Sequence, residues 1–205
     1  MAAKFYRTEV VRGPLMRISY AQSLRKPREM NGKVRYGCTL ILPKADTAGM
    51  KFLQKMIQEV VLGEWGEKGV DRFKNGLIKN PILDGAGKEA RNKKTGEINP
   101  GLGEGFVFIR PISNDPVKCF NKAVLPASDD DIKSGYWGHP AFNAFAWTNA
   151  ENGDGISFGI NMLQIVKEDE LLGGGEADPD SIFEKISTDS GDGTVGAGGA
   201  SDLFA

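Results

Sequence analysis

Lys33-Val34-Arg35-Tyr36-Gly37-Cys38-Thr39-Leu40-Ile41-Leu42 is the stretch on which the fold turns. Val34, Tyr36, Cys38, Leu40 and Leu42 fall on one side of an extended chain, and Lys33, Arg35, Gly37, Thr39 and Ile41 on the other. That is the two-residue period of a half-buried β-strand, and Pro43 closes it. Lys33 and Arg35 share a side with the small Gly37, which leaves room for a groove that follows a phosphate backbone. A solvated strand face carries such charges as well.

Working outward, Met16, Ile18 and Tyr20 alternate with Arg17 and Ser19 as an earlier strand. Downstream, Met50, Leu53, Ile57 and Val60 recur at helical steps behind Asp46, a suitable N-cap, and Gly63 ends this helix near Trp65-Gly66. Residues 84–105 read as a long loop with six glycines and the cations Lys88, Arg91, Lys93 and Lys94. A basic loop of that length in a compact domain commonly carries function. Strands resume at Phe106–Arg110, where Phe106, Phe108 and Arg110 share a face, and at Val117–Phe120. A hairpin then runs through Phe142, Phe145 and Trp147, turns at 151–155 and returns from Ile156 to Val166. This order predicts a mainly β chain: an OB-fold-like small β-barrel with one helix inserted after its second or third strand, and long loops.

Charge divides the chain. Its formal net charge is only −1, yet Glu168–Ala205 holds ten acids against one base, a net of −9. Met1–Lys167 holds 25 bases against 17 acids, a net of +8. Such asymmetry suits a nucleic-acid binder with an acidic tail. Residues 173–200 include eight glycines and few apolar groups, so their composition predicts a flexible tail that cannot offset its ordering entropy. The expected division is a binding domain over 1–170 and a tail over 171–205. The tail closes on Asp202-Leu203-Phe204-Ala205, and Asp202, Leu203 and Phe204 are the candidate docking residues for other proteins.

Catalytic patterns find little support. Gly155-Ile156-Ser157-Phe158-Gly159 matches the nucleophile elbow of hydrolases, but that motif needs a strand-turn-helix setting and a later histidine, whereas His139 precedes Ser157. Asp129-Asp130-Asp131 reads as a solvated turn more readily than as a metal site. Cys38 and Cys119 form no metal-binding pair. No apolar run approaches the ~18–20 residues of a membrane span, and the start of the chain lacks the apolar stretch of a secretory signal. The expectation is a non-enzymatic protein with no cofactor and no metal.

Binding of single strands needs cations for phosphates and aromatic faces for bases. The candidates are Lys33, Arg35, Lys93, Lys94 and Arg110 with Tyr36, Phe106, Phe108, Tyr136, Trp137 and Trp147; Tyr20, Phe142 and Phe145 complete the aromatic set. Tyr136 and Trp137 are the favoured platforms, because Gly135 and Gly138 bracket them in an expected exposed loop.

Several motifs then occur in a familiar order. Arg17-Ile18-Ser19-Tyr20, Leu40-Ile41-Leu42-Pro43-Lys44, Pro81-Ile82-Leu83-Asp84-Gly85, Ser134-Gly135-Tyr136-Trp137, Gly155 to Asn161, Gln164 and Leu171-Leu172-Gly173-Gly174 together resemble a family of bacteriophage OB-fold single-stranded DNA-binding proteins. These were long labelled conserved phage proteins of unknown function. The resemblance runs from about residue 8 to 175, and it implies a protein that coats single strands in phage DNA replication, recombination or repair, in the cytoplasm of the infected bacterium. It also implies docking of replication or recombination proteins on the acidic tail. The tail departs from the usual pattern in its glycine content and in placing Ala205 after the last aromatic. A strand-annealing or recombination mediator is the alternative, and a metal-dependent nuclease a distant one. Self-association is compatible with the sequence, and a membrane partner is not expected.

Overall fold

The computed structural model describes residues 5–30 and 32–173; the candidate docking residues Asp202, Leu203 and Phe204 lie outside the described residues. Twelve strands and one long helix follow in order. They are β1 (Val11–Arg12), β2 (Met16–Ser19), β3 (Arg28–Met30), β4 (Lys33–Gly37), β5 (Thr39–Pro43), α1 (Thr47–Lys74), β6 (Ile78–Lys79), β7 (Leu83–Asp84), β8 (Phe106–Ile109), β9 (Ile112–Ser113), β10 (Lys118–Phe120), β11 (Trp137–Asn149) and β12 (Gly153–Lys167).

The decisive stretch bends. β4 pairs with β9, whereas β5 pairs with β8 and with β2. The break falls at Gly37-Cys38, opposite a matching break at Arg110-Pro111 between β8 and β9. Gly37 has φ 154°, and a Cβ there would sit 2.3 Å from the Pro111 carbonyl oxygen. Only glycine fits where two bent strands approach so closely. β9 continues to β12, β12 to β11, and β11 to β2, which returns to β5. The sheet thus curls round on itself as a small OB-type barrel of five strand paths, with α1 between the second and third.

The bend also explains one misplaced face. Leu40 and Leu42 are buried as expected, but Val34 is 60% exposed, because β4 has turned away from the barrel interior to pair with β3 at the edge. The interior is filled from all five paths by Met16, Ile18, Leu40, Leu42, Val107, Ile109, Phe142, Phe158, Ile160 and Leu163. Phe142 meets Phe52 and Phe158 edge to face, with centroids 6.2 and 5.3 Å apart, the arrangement aromatic quadrupoles favour. Cys38 and Cys119 are buried thiols, and burial pushes the Cys119 thiol up to about 11.

Asp46 caps α1 as read: its carboxylate accepts from the Gly49 amide at 2.9 Å. The expected end at Gly63 is wrong. Gly63 is where the Tyr6 ring packs against the helix, 2.4 Å from a would-be Cβ. The helix breaks instead at Gly66, with φ 63° and ψ −160°, and resumes to Lys74. No helix among the described residues is long and apolar enough to cross a membrane.

Residues 85–105 fold back as a cover. Ala90 and Leu102 close over Ile41 and Phe108, joined by Leu83, Phe106 and Leu172. The Asn99 amide donates to the Ala90 carbonyl at 2.6 Å, and a backbone bond from Asn99 to the same residue spans 2.9 Å. Leu172 is held by a backbone bond to the Ser134 carbonyl at 2.9 Å.

Candidate nucleic-acid interface

Three adjoining recesses form one track over the outer face of the bent ladder. The first lies between Arg7, Phe145, Asn143, Gly159 and Arg35. The second shares Arg35 and Ile112 with it and adds Tyr36, Arg28, Tyr20 and Arg110. The third shares Tyr20 and Arg110 with the second and reaches Lys88, Arg91 and Lys93 on the covering loop. Cations and aromatic rings therefore follow one another along the path, with one acid in each recess, Asp115, Glu29 and Glu89 in turn.

The paths of the barrel place these groups. Arg35 and Tyr36 come from the last residues of β4 before the bend, and Arg110 from the corresponding bend after β8. Arg35 donates to the Asn114 side chain, and Arg110 to the Glu89 carbonyl at 2.6 Å. Tyr20 sits just past β2 in a left-handed conformation, φ 56° and ψ 41°, which is uncommon for a residue with a bulky side chain. Its hydroxyl donates to Asn99 at 3.3 Å, and the Arg28 guanidinium lies 5.2 Å from its ring centroid. The Arg7 guanidinium lies 5.2 Å from the Phe145 ring.

Cations outnumber acids along the track. Among the described residues, Arg7, Arg28, Arg35, Arg91, Lys93 and Arg110 have no acidic side chain within ion-pair distance. Partial burial holds the Arg110 guanidinium below its ordinary value, with a further push from Arg28; Tyr20 and Glu89 oppose both. It remains a cation, and it shares its recess with Arg28. Glu29 lines the same recess and Glu89 the next, so the positive charge there is offset only in part.

The sequence candidates divide. Arg35, Tyr36, Lys93 and Arg110 meet in the track. Lys33 and Lys94 are exposed at its margins, on the outer end of β4 and at the loop tip. Phe108 is a correction: it is fully buried, since the loop that follows β7 folds over the face it shares with Arg110. Phe106 is half-buried in the same cluster. Tyr136 and Trp137 are a second correction. Trp137 lies not in a loop but at the start of β11, and Tyr136, in the turn before it, is half-buried against the core and not exposed. The Trp137 indole donates to Asp169 at 2.7 Å, with the Lys167 ammonium 5.7 Å from its ring, away from the track. Trp147 stands on the outer face of β11, two residues beyond Phe145. Asp129 and Asp131 are drawn to different partners, Asp129 to Arg25 at 3.1 Å and Asp131 to Ser128 at 2.7 Å.

Arg7 and Arg28 were not among the candidates. The basic run Arg25-Lys26-Pro27-Arg28 was the available signal for the second; nothing local marks the first, which joins the site by bridging to Phe145.

The family described as Enterobacter phage Enc34, ssDNA-binding protein, matches residues 8–194. The chain belongs to this family. Putative protein p50 of Acyrthosiphon pisum secondary endosymbiont phage 1 is 25% identical over 171 residues, 80% of this chain and 87% of that one. Among solved structures, the single-stranded DNA-binding protein from bacteriophage Enc34 in complex with ssDNA aligns with TM-score 0.57 at 19% identity. That alignment covers 82% of this chain and 88% of the other. The single-stranded DNA-binding protein gp2.5 of bacteriophage T7 aligns with TM-score 0.54 at 13% identity, covering 92% and 99%. At these identities the likeness to solved structures is one of fold, and it agrees with the OB-type barrel traced by the strand pairing.

Proposed function

We propose that this chain binds and coats single-stranded DNA during phage DNA replication, recombination or repair, as a non-enzymatic protein of the infected host's cytoplasm. One observation carries the reading: a track in which arginines without ion-pair partners lie among Tyr20, Tyr36 and Phe145. Guanidiniums suit phosphate oxygens, and ring faces accept any base, so affinity arises without sequence preference. A duplex hides the faces of its bases and cannot use the rings. Membership of a family described as ssDNA-binding supports the same reading.

The decisive measurement is affinity for single-stranded and duplex oligonucleotides across a salt series. With three to five phosphates neutralised by Arg7, Arg28, Arg35, Lys93 and Arg110, log affinity should fall against log salt with a slope of about −2 to −3.5, ~0.7 per phosphate. Arg35→Gln and Arg110→Gln should each flatten it. Binding insensitive to salt, or duplex bound as tightly as single strands, would sink the proposal. Docking of replication or recombination proteins on the acidic residues beyond Gly173 belongs to the same proposal, supported by their charge.

A further inference from the structure

Gly155-Ile156-Ser157-Phe158-Gly159 lies wholly within β12, with no turn into a helix, so its regular small residues need another explanation. Opposite Gly155, Ser157 and Gly159 in the ladder stand Trp147, Phe145 and Asn143 of β11. At these three positions the residue of β12 is small where its partner is large. A Cβ on Gly155 would lie 2.2 Å from Trp147 Cζ2, and one on Gly159 would lie 2.8 Å from Asn143 Oδ1. The glycines therefore let both side chains lie across the neighbouring strand.

Trp147 is held in that position. Its indole Nε1 donates to Ser157 Oγ at 2.9 Å. Beyond Gly155, Lys79 of β6 is next in the ladder, and its ammonium lies 5.8 Å from the Trp147 ring centroid. Two residues along β11, about 7 Å at strand rise, the Phe145 ring carries Arg7. At the inner end Asn143 is 4% exposed, lines the recess with Arg7 and Arg35, and leaves its Nδ2 without a hydrogen-bond partner among the described residues. Folded chains rarely leave a buried amide donor unpaired.

We propose that this row is a nucleobase shelf that prolongs the track toward the tip of the β11–β12 hairpin. Trp147 stacks one base of the bound strand and Lys79 meets an adjoining phosphate. Asn143 lies at the inner end of the row, its amide buried beneath the nucleotide seated against Phe145. The glycine-serine-glycine pattern is the device that pre-orients the ring, so that stacking costs no reordering. The inference rests on the reading of the chain as a single-strand binder.

The test uses the full chain, with oligothymidines of about 5 and about 16 nucleotides, the two ends of the ~4–16 nucleotides one OB fold occupies. Trp147→Ala and Gly155→Val should weaken the longer strand tenfold or more and the shorter less than twofold, because the short strand is held by the cation-rich Tyr20–Tyr36 end. Trp147→Phe should recover most of the loss. Folded Trp147→Ala that binds the longer strand as the parent does would overturn the shelf. If the variants do not fold, photo-cross-linking of the unaltered protein to a 5-iodouracil oligonucleotide decides: cross-linking at Trp147 supports the shelf, and its absence there overturns it. Failure of the unaltered chain to bind either strand would instead defeat the single-strand reading. Loss of affinity in Arg35→Gln but not in Trp147→Ala would defeat the shelf alone.

Discussion

Phe108 and Arg110 share one face of the same extended stretch, yet they end in opposite surroundings. Arg110 projects into the track, while Phe108 is sealed under Ala90 and Leu102. Alternation assigns a side chain to a face of the sheet, but says nothing of what a distant loop later lays over that face. The two substitutions should therefore separate cleanly. Phe108→Ala removes a fully buried ring and should cost about 3–5 kcal/mol in chemical denaturation. Arg110→Gln should cost much less, on the order of 1 kcal/mol for its bond to the Glu89 carbonyl and its place 5.0 Å from the Phe108 ring centroid, and should weaken single-strand binding; a Phe108→Ala protein as stable as its parent would show that the cover is not packed as described. The same limit hid Arg7, whose partner Phe145 lies far along the chain. Tyr20 was legible as an aromatic but not as strained: a left-handed tyrosine stores on the order of 1–3 kcal/mol, and no sequence pattern announces it.

At the scale of elements, the β11–β12 hairpin was the most readable part. Its alternation is sustained, and Asn152-Gly153 marks the turn. The helix was read only to Gly63, because a glycine in a helical pattern resembles a stop when the ring that packs on it, Tyr6, is out of view. The helix and the hairpin are then joined by a contact no local pattern foretells. Arg72, near the end of α1, pairs with Asp154 at 2.5 Å, and the Thr148 hydroxyl donates to the same carboxylate at 2.6 Å. The Thr148 bond first, and Arg72 second, hold the Asp154 carboxyl below its ordinary value. A lowered carboxyl contributes stability that is complete above the ordinary carboxylate range and is lost as pH falls through the lowered value. Asp154→Asn should cost on the order of 1 kcal/mol at neutral pH, allowing for solvent screening at the partly exposed Arg72. The difference between parent and variant should shrink as the pH is taken below 4, toward the acid limit; a difference that stays constant through that range would refute the assignment.

For the whole molecule, charge was the clearest statement in the sequence, and the structure locates one part of it. The described chain ends with Leu172 and Gly173 lining a recess they share with Tyr20, beside the cation-rich end of the track. Residues 174–205 carry seven acids and one base, a net of −6. A tethered acidic segment reaches effective concentrations on the order of millimolar with a short linker, so it should compete with DNA for the arginines. Deleting residues 176–205 should tighten single-strand binding, most at low salt where screening is weak, and should abolish capture of replication proteins. Leu203→Ala with Phe204→Ala should impair that capture while hardly altering DNA affinity, since no charge changes. Equal affinity of full-length and truncated chains at low salt would refute competition.

The curled ladder also has a history in time. β2 completes the ring by pairing with β11, Arg17 against Trp137, 120 positions apart. During synthesis the early strands leave the ribosome long before their last neighbours exist, so the ring cannot shut until the final hairpin has emerged. Until then β2 and β9 lack one partner each, and Arg7 waits for Phe145. Pairing across such separations is slow, on the order of milliseconds to seconds for barrels, and unpaired strand edges are the usual seeds of aggregation. The binding track is therefore among the last features to form. A nascent or truncated chain lacking the hairpin would carry the arginines of the site with no surface to align them.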